Sequence, residues 1–298
     1  MKKIILLFVF LSISLLVSAQ TEFTSQNSDV NVEEKKKLTE YFDSFEVINI
    51  DILQFKKLLK DEKFNFSLKL NSKIIKDCYL ELEPNDIRGE NSIMSITKDK
   101  VITRMDNKEV NTYKGIMDND KNQWVRLYSD DKVFYAFFHT KNGADICVEP
   151  ISNYTQKVDD KNRYVIFDIN KFKKEGNCGI DLLKETVNKS VKPNANRIAN
   201  PWNPCRVLSV AVDADFEWYQ TYGGNSWSQI YYVMNAVDGI YQNQFNLRVI
   251  VPYINVYTTD SDPYSSNDSV DLLTEFRNHW QNNLSGISRN VAHLFTGK

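Results

Sequence analysis

The side chains best suited to hold a metal are few in this 298-residue sequence: His139, His279 and His293, with Cys78, Cys147, Cys178 and Cys205. A zinc site on one helix face needs two histidines four residues apart, with a glutamate between them to polarise the attacking water. Here no histidine is followed by glutamate, and no two lie three to five residues apart. The nearest pair, His279 and His293, fall on different predicted elements and are expected to pack or to face solvent. The four cysteines permit three pairings. Cys178 stands in Gly176-Asn-Cys-Gly-Ile180. A thiolate there is a competent zinc ligand beside a glycine that allows close backbone approach; a structural disulfide is the competing reading. The sequence before the linker described below carries no Gly-x-Ser-x-Gly elbow and no phosphate loop.

The elements that must position these residues fall into two groups. Val207–Asp213 and Leu247–Tyr257 are apolar, β-branched runs of the kind that form buried strands. Between them Ile230, Val233, Met234, Val237, Ile240, Tyr241 and Gln244 recur at helical spacing, with Asn225 or Ser226 available as a cap. Strand, helix, strand over about fifty residues predicts a βαβ unit with parallel strands. A second helix carries Val270, Leu273, Phe276 and Trp280 on one stripe behind Asn267, Asp268 and Ser269, and Arg289–Thr296 reads as a third strand. Three parallel strands are fewer than such sheets usually need, so this segment is expected to be the incomplete start of an α/β domain, with an apolar edge left open. A small complete three-strand domain is the alternative. Upstream the pattern is β-rich. Phe64, Phe66, Leu68 and Leu70 alternate with polar residues, Trp124–Phe138 reads as two aromatic strands around a Ser129–Lys132 turn, and Tyr164–Asp168 adds another. The run Glu33–Lys37 is expected to be a solvated helix face.

The domain plan follows from composition. Residues 1–19 read as a signal peptide: Lys2 and Lys3, a 14-residue apolar run Ile4–Val17, and small residues at Val17-Ser18-Ala19 for cleavage. That run is short for a membrane span, so a secreted protein free of the membrane after cleavage is expected. Residues 20–187 form a β-rich unit and 188–204, with three prolines, an exposed linker open to a processing protease. Residues 205–298 form the α/β unit. A formal charge of −2 gives no electrostatic case for nucleic acid.

The chain resembles the N-terminal part of reprolysin-like (ADAM-type) metzincins, secreted zinc metalloproteases made as zymogens. Tyr113-Lys-Gly115, Trp124-Val-Arg-Leu127 and Ile146-Cys-Val-Glu-Pro150 resemble the family's propeptide. Leu272–Trp280 with Asn290–Gly297 resembles its second helix and third strand, and Val207–Asp213 fits its first. The resemblance implies a β-rich propeptide followed by the truncated N-terminal half of a zincin-like catalytic domain, with parallel strands and covering helices. It implies zinc, peptide substrates and an activating protease at the linker, with the zinc motif expected downstream of Lys298. It also implies a cysteine switch, in which Cys178 fills the zinc position of the zymogen. Cys78 and Cys147 are then free to pair, and Cys205 awaits a partner; a Cys178–Cys205 bridge is the rival. Asn290 stands where some relatives carry an acidic calcium ligand, and no calcium is expected. The alternative function is a naturally short, inactive secreted protein that binds or inhibits a protease partner.

Overall fold

The computed structural model describes residues 21–61, 64–106, 109–155, 161–173 and 206–298. The expected signal segment and linker, Cys178 and Cys205 lie outside these residues.

Two sheets sandwich one long helix. The first sheet draws on β1 (Glu22–Thr24), β2 (Gln26–Asn27), β3 (Glu46–Asn49), β4 (Asn65–Lys69), β5 (Cys78–Pro84), β8 (Thr112–Met117), β9 (Asp120–Ser129), β10 (Phe134–His139), β11 (Asp145–Pro150) and β12 (Arg163–Asp168). Its order is β1-β4-β5-β8-β9-β10-β11-β12-β3-β2. Every pairing but β1 with β4 is antiparallel. The aromatic hairpin forms as expected, Ala136 opposite Leu127 and Phe138 opposite Val125. Alternation along these strands sends side chains to opposite faces. Phe134, Ala136 and Phe138 join an all-N-terminal core with Phe23, Phe55 and Phe66, while Tyr135 and Phe137 face the other way. Helix α2 (Ile52–Lys60) inserts Ile52, Phe55, Leu58 and Leu59 into the first of these cores. Helix α1 (Val32–Tyr41) opens with a capping box between Asn31 and Glu34. Glu33, Lys35 and Lys36 face outward, but Glu34, expected on the same solvated face, is buried and pairs with Arg163 at 3.0 Å. A single turn, α3 (Ser152–Thr155), follows β11.

The second sheet contains the expected parallel strands β13 (Arg206–Ala214), β14 (Leu247–Tyr257) and β15 (Val291–Phe295). It does not stop there. Its order is β15-β13-β14-β6-β7, and the last two strands, β6 (Arg88–Lys98) and β7 (Val101–Met105), come from the N-terminal half. Strand β6 lies parallel to β14, pairing Ile254 with Met94 and Val256 with Ile96. The edge expected to stand open is therefore covered on the β14 side by a hairpin more than a hundred residues upstream; β15 occupies the other edge. A register shift near Pro252, which has no N–H to give the ladder, interrupts the β14–β6 pairing.

Helix α4 (Phe216–Tyr222) follows β13 and is capped by Asp215. Helix α5 (Ser226–Phe245) is the helix of the βαβ unit, and α6 (Ser269–Asn283), capped by Asp268, covers the opposite face of the second sheet. Val210, Val212 and Ala214 point toward α5; Ala211 packs with Tyr253, Phe276 and Trp280 under α6. Because α5 is covered on both sides, its polar residues are buried too, Asn235 and Asp238 completely. Among the described residues no helix is long and apolar enough to cross a membrane.

The proposed partnership of Cys78 and Cys147 does not occur. Both are free thiols, and β5 and β11 are separated by β8, β9 and β10. Four strand spacings of about 4.8 Å exceed any disulfide reach. Cys78 packs on the far-face core and Cys147 on the α5 side, so the two also point away from each other.

Candidate functional site

Two buried polar clusters stand out, one under α6 and one where α5 meets the first sheet.

The first is a row across three parallel strands. Asp213 on β13 pairs in register with Asn255 on β14, which pairs with Ser95 on β6. The Asn255 side-chain oxygen accepts from Ser95 Oγ and Thr97 Oγ1, each at 2.9 Å. The Tyr264 hydroxyl donates to Asp213 Oδ2 at 2.5 Å. Asp213 is fully buried, and that burial pushes its carboxyl up to about 7, with Tyr264, Trp280 and Arg289 only partly offsetting it. Trp280 lies close enough to contribute, although neither Asp213 Oδ1 nor Trp280 Nε1 completes a well-formed hydrogen bond. The cation beside the group, Arg289, stacks over the Trp280 ring at 4.2 Å. Such a carboxyl can hold or release a proton near neutrality.

The second cluster joins the two halves of the chain. Asn235 on α5 donates to two strand carbonyls of the first sheet, Tyr113 O at 3.0 Å and Leu127 O at 2.9 Å. Asn85 donates to Asn235 Oδ1 and to Asp238 Oδ2. Asp238 also accepts from Gln242 Nε2 and from the backbone N–H of Val249. Arg126 on β9 reaches Asp238 only at 3.7 Å. The layers come this close because position 239 is glycine: a Cβ there would meet Trp124 at 2.5 Å and Arg126 Cγ at 3.0 Å. Gly115 on β8 has a similar reason to lack a side chain, since a Cβ would collide with the Glu81 carbonyl of β5. Further along the seam Ser228 bonds Tyr128 and Asp130, and Tyr232 stacks on Tyr135 at 4.9 Å.

The three histidines sit on three different elements. His139 Nδ1 is 2.6 Å from Asp145 and the ring stacks on Trp124. His279 on α6 faces the Tyr257 hydroxyl at 3.1 Å, and its pKa is lowered by burial. His293 on β15 packs edge-on against Phe295, and burial lowers its pKa as well. Among the described residues no three His, Cys, Asp or Glu side chains converge as a metal site. Histidines held singly on three separate elements, two of them hydrogen-bonded to Asp145 and Tyr257, do not make a zinc ligand set. The Asn290 side-chain oxygen, at the position weighed for calcium, is committed to Ser209 N and Oγ, each at 2.9 Å. Cys178 lies outside the described residues. Sequence reasoning missed both polar clusters: Asn85, Asn235, Asp238 and Asn255 are residue types usually read as surface, and Asn235 and Asp238 fall off the apolar stripe of their helix, on the side expected to face water.

Comparison with known proteins adds one segment-level result. The family model described as metallo-peptidase family M12 (Reprolysin_5) matches residues 204–298. No curated protein matches the chain. Among solved structures the chain is similar to metalloproteinase-II from Bacteroides fragilis, at 12% identity, covering 92% of this chain and 70% of that one, with a TM-score of 0.37. A likeness of that size carries no argument about fold or function.

Proposed function

We propose that this chain, reprolysin-like over residues 204–298, is the N-terminal portion of a secreted zinc metallopeptidase precursor. The observation that carries the reading is the family M12 match over residues 204–298, the segment that carries β13, α5, β14, α6 and β15. In this reading residues 206–298 supply the upper sheet and two supporting helices of the catalytic domain. Residues 21–173 are the propeptide, docked on α5 and zipped to the β14 edge through β6. The His-Glu-x-x-His ligands are absent from the sequence, so peptide-bond chemistry does not reside in these residues. Their role is to build and restrain the scaffold. The linker is where an activating protease cuts, and Cys178 is the thiolate held back for the metal.

The test is the reading frame beyond codon 298, followed by expression of whatever it encodes. An in-frame His-Glu-x-x-His with a third downstream histidine, and zinc-dependent cleavage of a protein substrate after linker processing, is the expected result. A stop codon directly after Lys298 overturns it and leaves a short secreted protein that binds or inhibits a protease. Intact mass of the exported form, expected to begin at Gln20, tests secretion separately.

A further inference from the structure

The seam between the halves opens into a cavity of about 710 Å³ that the proposed function does not use. That size is typical of small-molecule sites. Its walls come from both halves. Trp124, Ile116 and Pro84 give it apolar surface, and the guanidinium groups of Arg126 and Arg248 line it together.

Both arginines are incompletely paired. Arg126 is 3% exposed. Its Nη1 donates to the Val125 carbonyl at 3.2 Å and its Nη2 to Gln242 Oε1 at 3.3 Å, while Nε is buried without a partner. The nearest carboxylate, Asp238, is already shared among Asn85, Gln242 and the Val249 N–H. Burial lowers the Arg126 guanidinium to about 10, so it stays charged at neutral pH. Arg248 repeats the pattern: Nη2 donates to the Asp86 carbonyl and Nε is buried without a partner. The two acids on the cavity wall pair first with other cations, Glu83 with Lys114 at 3.1 Å and Asp86 with Arg88 at 2.7 Å, and share their remaining field with Arg126 and Arg248 respectively. Lys121 adds a further positive charge to the wall. The two Nε atoms are themselves closed off, Arg126 Nε beside Gly239. An incoming oxyanion therefore meets the Nη atoms, and a largely buried guanidinium with few acceptors gains from that charged hydrogen bond.

We propose that this cavity binds a small organic carboxylate, its anionic end on the Arg126 and Arg248 guanidinium groups and its apolar body against Trp124 and Ile116. The ligand bridges the N-terminal sheet and the C-terminal layer. The inference rests on the seam alone and stands whether or not the chain is a protease precursor.

The experiment is titration of the ¹⁵N-labelled full chain with phenylacetate, followed by calorimetry and by the arginine Nε–H resonances. Inorganic phosphate and sodium chloride at matched ionic strength serve as parallel arms. The expected result is saturable phenylacetate binding that moves two buried Nε–H signals, with chloride inert. Arg248→Gln sits at the half-buried rim and leaves the unliganded spectrum otherwise unchanged; it weakens binding about tenfold or more, the loss of one charged hydrogen-bonding partner. Absence of saturation, an equal response to chloride, or undiminished affinity in R248Q overturns the proposal. Binding of phosphate without phenylacetate overturns the organic-carboxylate assignment.

Discussion

The ten-stranded and five-stranded sheets differ in how each completes itself. The first closes one of its faces with material from its own half: α2 seals the Phe23, Phe55 and Phe66 core, in which every buried residue comes from positions 23–166. The second cannot do so. Three of its strands come from 206–298 and two from 88–105, and α5 has one flank on its own sheet and the other on β8, β9 and β10. The α5-side core mixes Trp124, Tyr135 and Phe137 with Val212, Ile230 and Val256. Antiparallel strands can be covered by local segments, whereas a parallel layer needs cover on both faces and partners at both edges. The N-terminal half is thus more than a neighbour of the C-terminal layer; it is part of that layer's fold.

The comparison breaks most visibly if the chain is divided. Residues 206–298 expressed alone are expected to lose cooperative folding, shown by collapsed amide dispersion in NMR spectra, while residues 21–173 retain the far-face core. Cleavage of the intact chain within 174–205 is expected to leave the two parts co-eluting on size exclusion. Separation on that column, or a well-dispersed spectrum for 206–298, would show that the layer completes itself.

The next largest effect is expected at Asn235. Replacing it with alanine removes the donors to Tyr113 O and Leu127 O and the acceptor for Asn85, all buried. A destabilisation of about 2–4 kcal/mol is expected, from three buried hydrogen bonds of about 1 kcal/mol each and the cavity left in the seam. Urea unfolding measures it, and a loss below about 0.5 kcal/mol, the usual range for surface changes, would demote the seam to incidental contact.

What the sequence made legible follows from this same division. Strands β13 and β14 and helix α6 announce themselves because most of their buried positions are apolar and recur at the period of the element, as Val210, Val212 and Ala214 do. Helix α5 was legible from its apolar stripe although it buries polar residues on its other side. Strand β6 inverts that code. Its Ser95 and Thr97 are buried, and both satisfy Asn255, so a reader seeking apolar alternation passes over the strand that covers β14. Nothing local in Arg88–Lys98 says that its partner lies some 160 residues away, because pairing is a property of two strands. Asn85 and Asp238 were hidden for a related reason: each is polar, and only the opposing layer makes it interior. The histidine spacing was readable because coordination geometry constrains neighbours along one helix.

A pH dependence is expected from Asp213, as from Glu149 in the first sheet, because burial disfavours the ionised form of both carboxyls. Asp213 is protonated in the folded state up to about pH 7, whereas in the unfolded chain a carboxyl ionises near pH 4. The native state therefore binds the extra proton between those values. The resulting stabilisation is complete below about pH 4 and is lost as pH rises toward 7, at up to about 1.4 kcal/mol per pH unit. Asp213→Asn is expected to flatten that slope, read as the difference between variant and parent unfolding midpoints across the window. An unchanged slope would place Asp213 in contact with water and remove the case for a dry parallel layer.

The smallest effect lies at the β15 edge. Asn290 Oδ1 accepts from Ser209 N and Oγ, and its own N–H donates to Ser209 O at 3.0 Å, fastening the entry of β15 to β13. Unlike Asn235, this pair is exposed, so water replaces the lost acceptor when Asn290 becomes alanine. The expected cost is about 0.5–1 kcal/mol, several-fold below that of Asn235→Ala although both remove side-chain hydrogen bonds to a strand. Parallel urea titrations of the two variants test the ratio. Equal losses would mean that the exposed edge is as costly to disturb as the buried seam, and burial would no longer explain why the two halves hold together.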